Sequence, residues 1–171
     1  SDHTPSRPPA VLPRSESAGR SCTVSGIMPK VARTPARSAL PTAVSKPAGS
    51  PTISVVIPTL NASRLLPACL ESLRRQTSPP LEVIVVDGWS ADDTVAVACR
   101  FTKQVYRFGP DQSAGRIYGG PFQRNYGAAR ARGDYVYLVD ADMELAPDVL
   151  AACGAVLRRT DADALIIPEE F

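Results

Sequence analysis

The chain has 171 residues, 44% of them hydrophobic, with a formal charge of only +2 at pH 7. That is enough for one domain with its own core, and it argues against a protein built around a strongly basic nucleic-acid surface. No apolar run reaches the ~18 residues of a membrane span, and no 7–15-residue apolar stretch follows the basic start as a signal peptide would require.

Composition divides the chain near residue 50. Residues 1–50 hold eight prolines, seven Lys or Arg and two acids, a charge of +5, whereas residues 51–171 sum to −3. So few long apolar side chains cannot offset the entropy of ordering, which predicts a disordered Pro/Arg/Ser-rich arm over 1–50 and a domain over 51–171. The arm's charges are dispersed and lack aromatic partners, so no nucleic-acid partner is expected. Cys22, Cys69, Cys99 and Cys153 form no CxxC pair and His3 is the sole histidine, which makes a zinc site improbable. The last three cysteines fall among apolar helix residues and are expected as buried free thiols, in keeping with a reducing compartment.

From residue 53 the pattern is regular. Ile53–Ile57 is a β-branched run stopped by Pro58, the mark of a buried strand. Leu65, Leu66, Cys69, Leu70 and Leu73 recur at helical spacing; Asn61 or Ser63 can cap this helix, and Pro67 is tolerated only near its first turn. Glu82–Val86 is a second strand. Ser90 and Asp93 make a capping pattern for a helix through Val95, Ala98 and Phe101. Gln104–Phe108 is a weaker strand, followed by a glycine-rich loop over 109–121. A helix from about Phe122 to Arg132 is expected to stop at Gly133, with small residues at 127–129 allowing a close approach to the sheet. Tyr135–Val139 is a fourth strand, Pro147 opens a helix through Leu157, and Ala164–Ile167 reads as a last strand. Strands alternating with helices predict an α/β fold with a parallel sheet.

In such sheets ligands bind beyond the carboxyl ends of the strands. The unusual polar residues gather there: Thr59 and Asn61 after strand one, Asp87 after strand two, Asp140 and Asp142 after strand four. Two carboxylates two residues apart can offer oxygens to Mg²⁺ or Mn²⁺, which take their other ligands from phosphate and water; paired acids are also common in solvated turns. Asp87 reads either as a turn residue of an Asp-Gly pair or as an acceptor for a nucleobase N–H. Arg124 reads either as a fork for a phosphate or base carbonyl or as a solvated helix residue.

Four stretches, in order, resemble family 2 glycosyltransferases of the GT-A (Rossmann-like) fold: Ile53–Asn61, Glu82–Thr94, Gln123–Asp134, and Tyr135 to Asp142. The resemblance covers about 120 residues, everything after the arm. It implies a nucleoside-diphosphate-sugar donor, most often a UDP-sugar, and metal-dependent, inverting transfer to an acceptor hydroxyl on a glycan, lipid carrier or small molecule. By the same resemblance Pro58, Thr59 and Asn61 line the nucleoside pocket and Asp87 matches the uracil-contacting aspartate. Arg124 matches a basic residue near base or phosphate, Asp140 the acid beside ribose and metal, and Asp142 the direct ligand of Mn²⁺ or Mg²⁺. It also implies a cytoplasmic setting, including the cytoplasmic face of a membrane.

Three departures stand out. Leu60 occupies a position where many members carry an aromatic that stacks on the base, Gly88-Trp89 replaces the usual acidic-Gly pair, and the 109–121 loop is longer than expected. Inverting transfer also needs a general base, which in the family lies well beyond the D-x-D. Glu169 and Glu170 read as solvated loop acids, so no catalytic residue is assigned and the domain is expected to be truncated. The alternative is an incomplete fragment that binds nucleotide without turnover. A nucleotidyltransferase ranks lower, because Pro58–Asn61 replaces its Gly- and basic-rich phosphate loop.

Overall fold

A computed structural model of the chain describes residues 25–26, 49–108, 119–160 and 162–167. The elements are β1 (Ser25–Gly26), β2 (Ile53–Thr59), α1 (Leu66–Arg74), β3 (Glu82–Asp87), α2 (Thr94–Phe101), β4 (Gln104–Arg107), α3 (Gly120–Ala128), β5 (Tyr135–Leu138) and α4 (Val149–Arg159). All strand pairs are parallel, in the order β1-β4-β3-β2-β5. The expected α/β parallel sheet with flanking helices is therefore present. Most of the 1–50 arm lies outside the described residues; the part that is described includes β1, a two-residue strand on the edge of the sheet beside β4.

The chain winds from β2 through β3 to β4 in one direction, then returns to place β5 on the other side of β2. Val55, Ile57, Val85 and Val105 point to one face, where they pack with Leu66, Cys69, Leu70 and Leu73 of α1, Ala98 of α2, and Leu150 and Cys153 of α4. Val56, Ile84 and Val86 point to the other, under Tyr126 of α3 and Phe108. Helices on both faces explain why the central strands β2 and β3 are buried at consecutive positions rather than at alternate ones. On α3, a Cβ added to Gly127 would lie 2.4 Å from Val56 Cγ1, so the expected close approach of this helix needs glycine there.

β2 does not stop at Pro58 but runs on to Thr59, paired with Asp87. The alternation of the backbone explains how a central strand accommodates proline. Val139 N donates to Val56 O on the β5 side, while Leu81 N and Gly88 N donate to Ile53 O and Thr59 O on the β3 side. Pro58 has the parity of Val56, so its nitrogen faces β5, and the β2–β5 register ends at Val56 and Leu138. No ladder bond is lost, because the two strands have already parted.

At the opposite end of the sheet Glu82 is buried and gathers several elements. Its carboxylate accepts from Ser54 Oγ (2.9 Å), Gln104 Nε2 (2.6 Å), and Arg132 N (2.7 Å) and Nε (3.0 Å). Burial pushes this carboxyl up, but those hydrogen bonds outweigh it and hold the pKa at about 2.

Several local expectations are corrected. Ala164–Ile167 forms no strand; Leu165 packs on the core while Ile166 is 97% exposed. The segment runs beside the open edge of β5, lining the same groove, without making the ladder bonds that define a strand. Neither Asn61 nor Ser63 caps α1, and the Ser90–Asp93 pattern does not cap α2; the Asn61 and Ser90 side chains tie the loops after β2 and β3 together instead. α3 begins at Gly120 with Pro121 in its first turn and ends at Ala128. Gly133 serves a different purpose: an added Cβ would sit 2.7 Å from Ser54 N. Cys69 and Cys153 are buried free thiols, but Cys99, only half-buried on α2, is disulfide-bonded, so the cysteines do not argue for a reducing compartment.

Candidate functional site

The reversal of strand order at β2 opens a crevice between the carboxyl ends of β2 and β5, the place where open α/β sheets bind ligands. Pro58 faces this gap. The loops after β2 and β3 are stitched to each other beside it. Asn61 N donates to Ser90 Oγ (2.8 Å), Ala91 N donates to Asn61 Oδ1 (2.8 Å), and Ala62 N donates to Thr94 Oγ1 (2.8 Å). Asn61 has a φ of 50°, a left-handed conformation that asparagine tolerates. Asp92 accepts from Thr94 and from Ser63, and these bonds hold its carboxyl well below the usual range.

Asp87 lies beneath this stitching with no exposed surface. Ser90 donates to it through both N (3.0 Å) and Oγ, Thr59 Oγ1 donates across a longer 3.4 Å, and Arg107 Nε of β4 stands 3.4 Å from Oδ2. The last contact is an ion pair without hydrogen-bond geometry, so among the described residues the buried Arg107 Nε has no hydrogen-bond partner. Trp89 follows two residues on, 50% exposed, with a φ of 67°. For a bulky residue that conformation costs on the order of 1–3 kcal/mol. Arg107 stacks its guanidinium 5.2 Å from the indole centroid.

On the other side of β2, the first turns of α3 bring two polar residues to the strand ends. Gln123 Nε2, buried, donates to Thr59 O (3.0 Å) and Val86 O (2.8 Å), fastening β2 to β3 just below the site. Arg124 Nη2 donates to Asp140 Oδ1 across the crevice. The acidic turn is held from below by α1. Ser72 Oγ accepts from Leu145 N (3.0 Å), Gln76 Nε2 donates to Ala146 O (2.7 Å), and the Cys69 thiol donates to Asp140 O (3.6 Å). Burial, then the charges of Asp142, Glu144 and Asp140, push that thiol up to about 12, which registers the negative field of the turn. Asp142 itself is exposed, and among the described residues its carboxylate takes no hydrogen bond or ion pair.

Pro58, Thr59, Arg124 and Asp140 therefore meet at one crevice, with Asp142 on its rim and Asp87 sealed under the neighbouring loops. Among the described residues no group of three or more His, Cys, Asp or Glu converges as a closed metal cage. Two acids with oxygen donors only, one of them unencumbered, fit a hard cation that takes its remaining ligands from phosphate and water.

The model of the Glycosyl transferase family 2 family matches residues 54–168. The chain belongs to that family. Family 2 relatives include a PGL/p-HBAD biosynthesis glycosyltransferase of Mycobacterium bovis, 32% identical over 123 residues, 68% of this chain and 46% of that protein. The glycosyltransferase GlyG of Streptococcus pneumoniae is 30% identical over 67% of this chain and 38% of its own length. Among solved structures, S. aureus TarS in complex with UDP-GlcNAc superposes with a TM-score of 0.55 at 25% identity, covering 69% of this chain and 37% of that one. The mannosyltransferase PcManGT of Pyrobaculum calidifontis, in complex with GDP-Man and Mn²⁺, gives 0.51 at 28% identity, over 63% of this chain and 32% of that one. The chain thus spans less than half the length of these relatives.

Four features of the site were not read from the sequence: the Gln123 fastening, the Arg107 clamp, the Ser72–Gln76 support and the left-handed Trp89. Ser72 lies on the buried face of α1, whereas Gln76 follows the end of that helix, so the pair gave no joint signal in the sequence. Arg107 had no local signal, since its partners come from a different strand and loop.

Proposed function

We propose that this family 2 chain forms the donor-binding part of a glycosyltransferase that moves a sugar from a nucleoside-diphosphate sugar, a UDP-sugar foremost, to an acceptor hydroxyl with inversion. The observation that carries the reading is the meeting of Arg124 with Asp140 across the crevice, with Asp142 left open beside it. In this reading Asp142 and Asp140 hold Mn²⁺ or Mg²⁺, and Arg124, released from Asp140, turns its fork to the diphosphate or the base. A bound divalent cation would supply charge neutralisation on the departing diphosphate. Pro58 and Thr59 shape the floor of the nucleoside pocket, Asn61 fixes the loop above it, and Asp87 orders the base-facing turn.

Among the described residues, no helix is long and apolar enough to cross a membrane. Asp87, Asp140 and Asp142 all serve the donor in this scheme, and the second reading is donor binding without turnover. A panel of UDP, GDP and ADP titrated into the folded chain, followed by an assay for sugar release or transfer from the matching donor, separates the cases. Selective binding of UDP with transfer supports the enzyme, and binding without transfer supports the second reading. A folded chain that takes up none of the three nucleotides sinks both.

A further inference from the structure

Trp89 departs from what its surroundings require. Its φ of 67° is one that glycine adopts freely and bulky residues rarely do. Half of the residue is exposed, so burial in the core does not explain why the strained conformation is kept. What holds it is a chain of contacts. Buried Asp87 faces Arg107, and the Arg107 guanidinium lies 5.2 Å from the indole centroid. Among the described residues Arg107 Nε has no hydrogen bond, so its guanidinium faces the Asp87 charge and the indole. The next residue, Ser90, is pinned to Asp87 through both its N–H and its hydroxyl. Strain supported on both sides, on an exposed aromatic in a loop stitched to the one that follows β2, is a mark of preorganisation for binding.

Leu60 gives the complementary observation. It follows Thr59, the last residue of β2, is 61% exposed, and offers no π face. The two loops are stitched together by Asn61, Ser90 and Ala91, so an aromatic on either could serve the same space. Resting on the donor-site reading above, we propose that Trp89 is the platform on which the planar base of the nucleoside diphosphate stacks. Base recognition in this chain then comes from the loop after β3 rather than from the residue that follows β2. The Arg107 cation on the indole fixes the ring in place and adds its own attraction to a stacked base.

Trp89 is the sole tryptophan of the chain, so intrinsic fluorescence reports on it alone. The 171-residue chain, with Mn²⁺ present throughout, is titrated with UDP, uridine and inorganic pyrophosphate while calorimetry records binding independently. Saturable quenching is expected from UDP and uridine, and none from pyrophosphate even where calorimetry shows it bound. Trp89→Gly should weaken UDP about tenfold, as loss of one stacked base does, and leave pyrophosphate affinity unchanged. Trp89→Phe should recover most of the loss. Because glycine relaxes the backbone, the Gly variant should be at least as resistant to urea as the parent. UDP binding that moves neither the emission nor, in Trp89→Gly, the affinity overturns the platform and leaves the donor site standing. If calorimetry detects neither UDP nor pyrophosphate on the folded chain, the donor site itself falls and the platform falls with it.

Discussion

Glu82 and Asp87 stand at the two ends of the same strand, β3, and both are buried. Around Glu82 the donors come from Ser54 on β2, Gln104 on β4 and Arg132 before β5, so one carboxylate fastens three neighbours of the sheet. Around Asp87 the donors come chiefly from one turn, Ser90 N–H and hydroxyl, with Thr59 and Arg107 at the longer distance of 3.4 Å. The first arrangement is saturated and faces away from the crevice; it serves the fold. The second is looser, leaves an arginine nitrogen without a hydrogen bond among the described residues, and supports strained, exposed residues; it serves a site. A buried acid therefore reveals its task less by its depth than by whether its partners are all satisfied and what they hold in turn.

Breaking the saturated end should have the largest effect on stability. Glu82→Ala removes a hydrogen-bonded buried charge and is expected to lower unfolding stability by roughly 3 kcal/mol in urea, with nucleotide affinity per folded molecule unchanged. The same residue sets an acid limit. Its folded pKa of about 2 lies below the ordinary glutamate value of about 4.3, so its contribution is complete above that value and is lost as pH falls toward 2. The parent should lose stability between about pH 5 and pH 2 more steeply than Glu82→Ala, and parallel acid curves would contradict the assignment.

Asp87→Asn should invert the pattern. It preserves shape, costs about 1 kcal/mol of stability, and lowers UDP affinity about tenfold by freeing Arg107 and the Trp89 turn. The smallest effect is expected at the exposed edge of the Glu82 cluster. Arg132→Ala keeps its backbone donor to Glu82 and loses a guanidinium whose side chain is 72% exposed, so the change should stay within about 1 kcal/mol. A larger loss there would mean that the cluster is not saturated as described.

The unequal legibility of the two ends has a physical cause. β2 and β3 could be read because continuous β-branched runs bounded by turns suit strands buried on both faces, and β5 from its Tyr, Val and Leu residues, although Val136 and Leu138 are exposed. The acids after them were legible because a charge following such a run must lie at a strand end. Glu82 and Arg107 were not, since their partners are set by register between distant strands, which local sequence does not encode. The Ala164–Ile167 run shows the converse error. Its composition suits a strand, but a strand exists only with a partner, and at β5 the ladder is not made. Trp89 was visible as a residue out of place, while its left-handed backbone, the fact that gives it meaning, belongs to the folded chain alone.

The most direct test of the central claim is calorimetric titration of the folded chain with UDP, with and without Mn²⁺, in the parent and in Asp142→Ala. The account predicts binding that needs Mn²⁺ and is lost when Asp142 becomes alanine, with the circular-dichroism spectrum unchanged. Binding of equal strength without Mn²⁺, or undiminished in Asp142→Ala, would contradict it and remove the acidic turn from the site.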